Sequence, residues 1–543
     1  MVREGSSPSV PTSLRTRRNP PTPTSTLPLS AQTGSVDQVD AGRAGTTSAG
    51  GRWALPGLML LALLPRLLIV LAPQVDLSVH GEEYQRANVA WELLNDPALS
   101  LIDYQYAPFF GGSLVTSVLA APLFALFGVQ MWVLKLVPAL THVIAVGLLF
   151  CILRRWVSRR AAWVGGLLFA WGSPGYTYLT TIAWGSHVES NALALLCLAL
   201  WLGVHGQSAQ PGRRFFLGVA GGFALYFGLQ CALVLLAILI VDGLRDWTVF
   251  RRREFGSQVL GFALGFSPWL AYNLQNSFSG TRLYDRTLVE HVEAQAASVT
   301  RFVQLALEGF PESMSFAGLG PLSGQALGGL VYALLLAVFG VGVWRARNWR
   351  STNPGVLAAV YCALFLGAYS LSDFPIPSAE SRIYDYRYVA LVWPWAVILI
   401  AIGADHLLSV LPGLKATGRG IFALILALSW FGSATSFADL RRFGDDFDRS
   451  AIALRGHGKW YAWRCCSQPR LQAPVLAALQ ARPDDVRREI YDGMGRFLRD
   501  MTRYKDSGLD VAYSRSEDAL EFFRQGVQDK YRQLFRPRPL RNQ

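Results

Sequence analysis

Long apolar segments alternate with short polar segments between residues 53 and 436, and this pattern dominates the chain. Most of the apolar segments approach the ~20 residues with which an α-helix crosses the hydrocarbon core of a bilayer. Because a spanning segment must satisfy its backbone hydrogen bonds internally, we expect these segments to be helices. The pattern therefore predicts an all-α polytopic membrane protein with about eleven transmembrane helices.

The predicted spans share an apolar composition and polar, often arginine-rich flanks. They cover residues 53–72, 131–153, 161–180, 191–204, 215–229, 231–241, 255–274, 326–344, 356–371, 389–404 and 420–436. Residues 112–129 are also apolar, but this segment is short and Pro122 interrupts it. Counting it as a full span would place the arginines of 154–160 on the external side, so we expect a re-entrant or juxtamembrane helix there.

The distribution of arginine predicts the orientation of the helices. Only 16% of the 543 residues are charged and the formal net charge is +13, whereas about 25% of the residues of a typical soluble protein are charged. Basic loops of membrane proteins face the cytoplasm. This rule places residues 154–160, 205–214, 245–254, 345–354 and 405–419 in the cytoplasm. The loops that carry residues 80 and 187 then face the outside.

The two ends of the chain differ from its apolar middle, residues 53–436. Residues 1–52 are rich in Pro, Ser, Thr and Gly and contain no apolar stretch. They are predicted to form a disordered cytoplasmic tail. Residues 437–543 are more polar than the spans, and we expect them to form a small external C-terminal region.

Two acidic loops are predicted to face the same external side. Their titratable and polar side chains are His80, Glu82 and Glu83 in the first loop, and His187, Glu189 and Asn191 in the second. The loops could form a pocket in which a carboxylate takes a proton from an acceptor. The alternative is structural, because acidic residues favour a helix N-terminus, and Ser186 with Glu189 matches a capping box.

A third external cluster comes just before the predicted span 389–404. It contains Arg382, Arg387 and Tyr388. A guanidinium group can bind two oxygens of one phosphate, so this cluster is a candidate phosphate site. The alternative is an interfacial girdle of basic and aromatic side chains that anchors the helix.

Four stretches resemble the GT-C membrane glycosyltransferases that use polyprenyl-phosphate sugars. They are "GEEYQRANVAWELL" (81–94), "YAPFFGGSLVTSVLAAPLFALFG" (106–128), "RRWVSRRAAWVGGLLFAWGSPGYTYLTTIAWGSHVES" (154–190) and "YDYRYVALVWPW" (384–395). The nearest relatives would be the protein O-mannosyltransferase (family 39-like) and lipid A aminoarabinose transferase families. The chain departs from their pattern where Glu82 replaces an aspartate and where a lysine usual near "PFFGG" is missing.

The resemblance implies a GT-C bundle with external juxtamembrane helices and a site on the periplasmic face of the bacterial cytoplasmic membrane. It implies transfer of a sugar from a polyprenyl-phosphate lipid to an external lipid, glycan or protein. It places Glu82, Glu83 and Glu189 at acidic positions that would carry out catalysis. From the external cluster itself, we expect Arg382 or Arg387, together with Tyr388, to bind the donor phosphate. His80, His187 and Asn191 would contact the acceptor or a metal.

Two other functions and one cofactor stay open at this point. A divalent cation, Mg or Mn, could bind among the carboxylates and histidines, although no fixed ligand spacing is present. A transporter or flippase of a lipid-linked glycan would line a path with polar residues inside the spans, and Gln230 and His142 are the clearest such residues. A non-catalytic envelope assembly protein would bind partners through residues 437–543. No pattern predicts a nucleic-acid partner.

Overall fold

The structure of the protein is a computed structural model. It describes residues 53–71, 81–95, 111–205, 211–275, 298–313, 325–348, 353–372, 376, 386–411, 418, 420, 483–488 and 490. The predicted tail 1–52, the predicted span 420–436 beyond its first residue and nearly all of the predicted C-terminal region lie outside these residues.

The described part of the chain is helical and contains no β-strand. In chain order its α-helices are α1 (Ala54–Val70), α2 (Gly81–Asn95), α3 (Gly111–Phe127), α4 (Met131–Trp156), α5 (Arg159–Trp171), α6 (Pro174–Leu179), α7 (Ser190–His205), α8 (Pro211–Phe227), α9 (Ala232–Arg245), α10 (Arg253–Gly265), α11 (Ser267–Gln275), α12 (Ser298–Gln304), α13 (Phe310–Ser313), α14 (Gln325–Ala346), α15 (Pro354–Ser370) and α16 (Trp393–Val410). Short 3₁₀ turns precede α9, α10 and α16, and a π-helical turn lies between α12 and α13.

Several of these helices have the length and hydropathy of membrane spans. Met131–Trp156, Gly329–Ala346 and Val389–Val410 are long and apolar enough to cross a bilayer, and α1, α3, α7 and α15 are shorter apolar helices. The chain is therefore an all-α, multi-pass membrane protein, as predicted. The number of eleven spans stays a prediction.

Two predicted spans are each divided into two helices. The span 161–180 breaks between α5 and α6, where Gly172 has a φ of +46° and Ser173 accepts a hydrogen bond from the Tyr176 N–H. Glycine adopts a positive φ without steric cost, and Pro174 starts the new helix because it needs no N–H partner there. The span 255–274 breaks at Phe266, between α10 and α11 and two residues before Pro268.

Helices α8 and α10 run parallel in backbone contact, and glycine makes this contact possible. A Cβ atom at Gly218 would lie 2.0 Å from the Gln258 carbonyl oxygen, and one at Gly222 would lie 2.1 Å from that of Phe262. Gly261 and Gly265 of α10 make the same close approach to α8. Spacing of small residues by four allows helices in a membrane to approach this closely.

The helices of the bundle bring several loops together at one end, which we call the loop end. It comprises the starts of α2 and α3, the loop 180–189, the turn 228–231 and residues 386–392. A Cβ atom at Gly112 would lie 1.7 Å from the Gly185 carbonyl oxygen, and Gln230 donates to the Ser190 hydroxyl at 3.0 Å. The carboxylates predicted from the sequence lie at this end.

The opposite end of the bundle, which we call the arginine end, comprises the ends of α4, α7, α9, α14 and α16 and the starts of α5, α8 and α10. The Ser257 hydroxyl of α10 donates to the Pro211 carbonyl at the start of α8 at 3.0 Å. His205 at the end of α7 contacts Asp242 of α9 at 2.9 Å. Because α7, α8 and α9 each run between the two ends, the arginine end is one helix length away from the carboxylates.

Candidate active site

Glu83 is buried in an ion pair that joins three elements. Its carboxylate accepts hydrogen bonds from Lys135 Nζ of α4 at 2.7 and 2.9 Å and from the Ala183 N–H at 2.9 Å. Both side chains are almost fully buried. A buried charge is stable only when it is paired in this way, so Glu83 fixes the start of α2 against α4 and the loop 180–189.

Glu82, the neighbouring carboxylate, points away from that core and is 30% exposed. Its Oε2 lies 3.0 Å from Arg86 Nη2, one turn further along α2. Its Oε1 lies 3.3 Å from Arg387 Nη1. The site therefore contains a carboxylate that solvent can reach and that two guanidinium groups flank.

Arg86 is buried and connects the first acidic loop to the second. Its Nη2 donates to the Ser113 hydroxyl of α3 at 2.8 Å and to the Trp184 carbonyl at 2.8 Å. Its Nη1 donates to the Glu82 carbonyl at 3.1 Å. These bonds hold the guanidinium group in place independently of the Glu82 carboxylate.

Arg387 is held between two aromatic rings. Its guanidinium carbon lies 4.6 Å from the centre of the Trp184 ring and 4.9 Å from that of Tyr388, and Nη2 donates to the Tyr388 hydroxyl at 2.9 Å. The His187 ring meets the Tyr388 ring edge-on at 5.2 Å. The structure thus brings together Glu82, Arg387, Tyr388 and His187 from three distant parts of the sequence.

Glu189 is buried beneath the loop that carries it. Its Oε1 accepts a hydrogen bond from the Gly185 N–H at 2.8 Å, and Gly185 has a φ of +84°. The other oxygen, Oε2, has no hydrogen-bond partner among the described residues. Burial raises the pKa of Glu189 to about 7, although the Gly185 N–H and the charge of Arg86 oppose this rise.

Of the other predicted site residues, one is described and does not join Glu82 in the structure. Asn191 is buried and donates to the Tyr176 hydroxyl at 3.2 Å, below the loop. His80 and Arg382 lie outside the described residues. The catalytic and binding roles given to all of the predicted site residues stay predictions.

The described residues do not fit a metal ion. Within the described ranges, no group of three or more His, Cys, Asp or Glu side chains is placed to hold one. Glu82 lies between two arginines and Glu83 is paired with Lys135. Cationic neighbours satisfy these two carboxylates, and the divalent cation predicted from the sequence stays a prediction because His80 lies outside the described residues.

Sequence reasoning missed two buried cations that the structure shows to be important. Lys135 pairs with Glu83, and Arg66 of α1 donates to the Thr180 hydroxyl at 2.9 Å and to the Ala170 carbonyl next to the α5–α6 break. Both interrupt otherwise apolar segments, "MWVLKLVPAL" and "LLPRLLIV". A charged residue inside a span indicates a buried partner or a functional role, and this signal was available in the sequence.

Part of the chain matches a known family. Residues 112–272, from α3 to α11, match the family described as dolichyl-phosphate-mannose-protein mannosyltransferase. This match confirms the resemblance found in the sequence and indicates a membrane glycosyltransferase related to that family. The matched segment includes Lys135 and Glu189, whereas Glu82 and Arg387 lie outside it. A comparison with curated protein sequences gives no significant match.

The chain is also similar to solved structures. One is ArnT from Cupriavidus metallidurans bound to undecaprenyl phosphate, with 17% identity, a TM-score of 0.47, and coverage of 89% of this chain and 79% of that one. The apo state of that protein gives 20% identity, a TM-score of 0.46, and coverage of 86% and 77%. The archaeal oligosaccharyltransferase AglB from Archaeoglobus fulgidus, in complex with an inhibitory peptide and a dolichol-phosphate, gives 14% identity and a TM-score of 0.47. Coverage there is 76% of this chain and 58% of AglB.

Proposed function

We propose that the protein transfers a sugar from a polyprenyl-phosphate lipid to an external lipid, glycan or protein acceptor, with Glu82 as the general base. The observation that carries this proposal is the Glu82 carboxylate, which solvent can reach between Arg86 and Arg387. A polyprenyl-phosphate donor is supported by the description of the family that matches residues 112–272. The site would face the periplasm of a bacterial cytoplasmic membrane.

The difference between the three carboxylates supports the choice of Glu82 as the base. Glu83 is paired with Lys135 and buried, and Glu189 is buried beneath its own loop. A base must reach the hydroxyl or amine of an acceptor, and Glu82 is the most exposed of the three. Two nearby positive charges favour the ionised form of a carboxylate, which is the form that accepts a proton.

In the proposed reaction, the acceptor oxygen or nitrogen attacks the anomeric carbon of the donor while Glu82 takes the acceptor proton. The bond between the anomeric carbon and the phosphate oxygen breaks, and the polyprenyl phosphate leaves with the electron pair. Attack from the side opposite the phosphate inverts the anomeric configuration. Arg387 stabilises the charge that develops on the leaving phosphate, and its aromatic neighbours hold it in position beforehand.

The position of Arg387 also implies an order of events. Its contact with Glu82 is the longer of the two ion pairs at 3.3 Å, and a donor phosphate would compete with Glu82 for it. Arg86 would stay, because the Ser113 hydroxyl and the Trp184 carbonyl hold it. Donor binding would thus release one side of the base for the acceptor.

The transporter and assembly alternatives gain no support from the described residues. Lys135 and Arg66 are charged residues inside apolar helices. Lys135 pairs with Glu83, and Arg66 donates hydrogen bonds to residues on either side of the α5–α6 break. His142 packs edge-on against Phe169 at 4.8 Å. These contacts are local, whereas a transport path needs a continuous series of polar side chains.

The test is Glu82→Gln, which is nearly isosteric and removes the base. The readout is release of undecaprenyl phosphate from a panel of undecaprenyl-phosphate-linked hexoses and pentoses, measured with purified protein in proteoliposomes. We expect release to fall about 10²–10⁴-fold, the usual cost of losing a general base. The matched control is Glu254→Gln at the arginine end, which we expect to keep wild-type activity. Release by Glu82→Gln within a few-fold of wild type, at equal reconstitution, would contradict the assignment.

A further inference from the structure

The segment 244–253, which we call the arginine turn, joins α9 to α10 at the arginine end and takes no part in the proposed reaction. It includes the 3₁₀ turn Trp247–Arg251. The start of α9 lies at the loop end, where Gln230 contacts Ser190. The arginine turn is therefore separated from Glu82 by the length of α9, and its chemistry needs its own explanation.

The arginine turn exposes both apolar and basic side chains. Trp247 is 69% exposed and Leu244 is 59% exposed. Arg251, Arg252 and Arg253 follow, and all three are exposed. A large aromatic ring beside consecutive guanidinium groups is typical of the boundary between hydrocarbon and headgroups.

Three acidic residues lie in or beside the arginine turn, and within the described ranges Glu254, which follows Arg253 at the start of α10, forms no ion pair with an arginine of the turn. Asp246 pairs with Arg252. Asp242 is buried, where it accepts from Trp201 Nε1 at 2.8 Å and contacts His205 Nε2 at 2.9 Å. Within the described ranges, neither Arg251 nor Arg253 forms an ion pair.

The arginine turn also has a defined shape. Asp246 accepts a hydrogen bond from the Thr248 N–H at 2.9 Å, which caps the 3₁₀ turn. The Phe250 ring meets the Trp247 ring at 5.0 Å and the Phe255 ring at 5.0 Å. The exposed arginines are therefore presented on a folded element.

We propose that the arginine turn binds the headgroup phosphates of anionic phospholipids in the leaflet at the arginine end. Trp247 and Leu244 would enter the interfacial region of the bilayer, and Arg251 and Arg253 would bind phosphate oxygens. A membrane surface suits both chemistries at once, because it offers apolar depth and negative charge side by side. An acidic protein partner would neutralise the arginines, but it would not explain why apolar side chains are exposed beside them.

The competing explanation is that these arginines only set the orientation of the helices, as basic loops do in general. A second basic cluster at the same end allows the two explanations to be separated. Arg345 and Arg347 lie at and just beyond the end of α14, with guanidinium carbons 5.8 and 4.9 Å from the centre of the Trp344 ring. Their number and charge match those of Arg251 and Arg253.

The experiment compares Arg251→Gln/Arg253→Gln with Arg345→Gln/Arg347→Gln in the purified full chain. Native mass spectrometry measures the apparent Kd for phosphatidylglycerol and, separately, for phosphatidylcholine. The wild type should prefer phosphatidylglycerol. The first double variant should bind it roughly 30-fold more weakly and lose the preference, in line with the contribution of two basic side chains at an anionic surface. The second should change by less than about twofold, because the guanidinium groups of Arg345 and Arg347 already contact the Trp344 ring. This readout does not depend on glycosyl transfer.

Arg251→Lys/Arg253→Lys keeps the charge and serves as a control in case the glutamine variant misfolds. It should bind phosphatidylglycerol with intermediate strength, because lysine lacks the forked guanidinium group of arginine. Equal weakening in both glutamine double variants would assign the effect to general positive charge and overturn the proposal. A wild type without headgroup preference would overturn it too. Binding of added acidic peptide with loss of lipid preference would replace the membrane with a protein partner.

Discussion

At the scale of single residues, two adjacent glutamates in one helix have different environments. Successive side chains of an α-helix point about 100° apart, so Glu82 and Glu83 cannot face the same surroundings. Glu83 meets Lys135 in the core, and Glu82 faces Arg387 and solvent. The sequence predicts that the acidic pair and Arg387 lie on the same, external side of the membrane, so they could be predicted to belong to one site. The partner of Glu83 could not, because Lys135 lies inside a predicted span and its contact depends on how α2 packs against α4.

Glu189 should make the stability of the protein depend on pH. Burial raises its pKa in the folded protein to about 7, whereas its ordinary value is 4.5. Between these values the folded state binds more protons than the unfolded state, so this residue's contribution to stability is largest at low pH and declines as pH rises towards 7. Glu189→Gln removes the titration. The midpoint temperature of thermal unfolding of this variant in detergent should therefore rise relative to that of the wild type between pH 5 and pH 8. The corresponding change in the free energy of unfolding, variant relative to wild type, should be on the order of 2–3 kcal/mol at most.

The matched control for this measurement is Glu254→Gln, at the arginine end and outside the buried loop. Its midpoint should follow that of the wild type across the same pH range. A constant offset between Glu189→Gln and the wild type from pH 5 to pH 8 would show that Glu189 does not titrate there. That result would limit the contribution of Glu189 to stability to the hydrogen bond that it accepts from the Gly185 N–H.

At the scale of elements, the sequence predicts the apolar helices well and their breaks poorly. The 112–129 segment forms α3, and the helix at residues 81–95 begins with the acidic pair, as predicted. Hydropathy alone does not reveal the break at Gly172, because the residues on both sides remain apolar. The turn signal "GSPG" is present at residues 172–175, but the apolar residues on both sides of it led to the prediction of one continuous span. Helix pairing could not be predicted at all, because parallel contact between α8 and α10 depends on tertiary packing.

The glycine contact between α8 and α10 should tolerate no added methyl group. Gly261→Ala places a Cβ 2.1 Å from the Phe215 carbonyl oxygen, so the helices must move apart. Overpacking of this kind typically costs about 1–3 kcal/mol. We therefore expect a lower midpoint of thermal unfolding in detergent. The control is Gly256→Ala in the same helix, where no atom lies within 4 Å and alanine should be neutral or stabilising by about 0.5–1 kcal/mol. Equal midpoints for the two variants would show that the close approach does not contribute to stability.

At the scale of the whole molecule, the two ends of the bundle differ in chemistry. The loop end holds buried and exposed carboxylates with their paired cations, and the arginine end presents exposed arginines beside aromatic rings. The loops predicted to be cytoplasmic are those at the arginine end: Arg160 at the start of α5 pairs with Asp405 of α16 at 3.1 Å, and the Trp344 ring at the end of α14 meets the His406 ring at 5.7 Å. The basic loops therefore lie at the same end of the bundle, which is consistent with a single orientation of the helices in the membrane.

That orientation can be tested with single cysteines and a membrane-impermeant maleimide in intact cells. The background replaces the exposed Cys151, and also Cys465 and Cys466, with serine, and it should remain unlabelled because the other cysteines are buried. Trp91→Cys, on an exposed position of α2, should be labelled in intact cells because basic loops hold the arginine end inside. Thr248→Cys, in the arginine turn, should be labelled only after the membrane is permeabilised. The reverse pattern would place the carboxylates in the cytoplasm and exclude a donor and an acceptor on the external face.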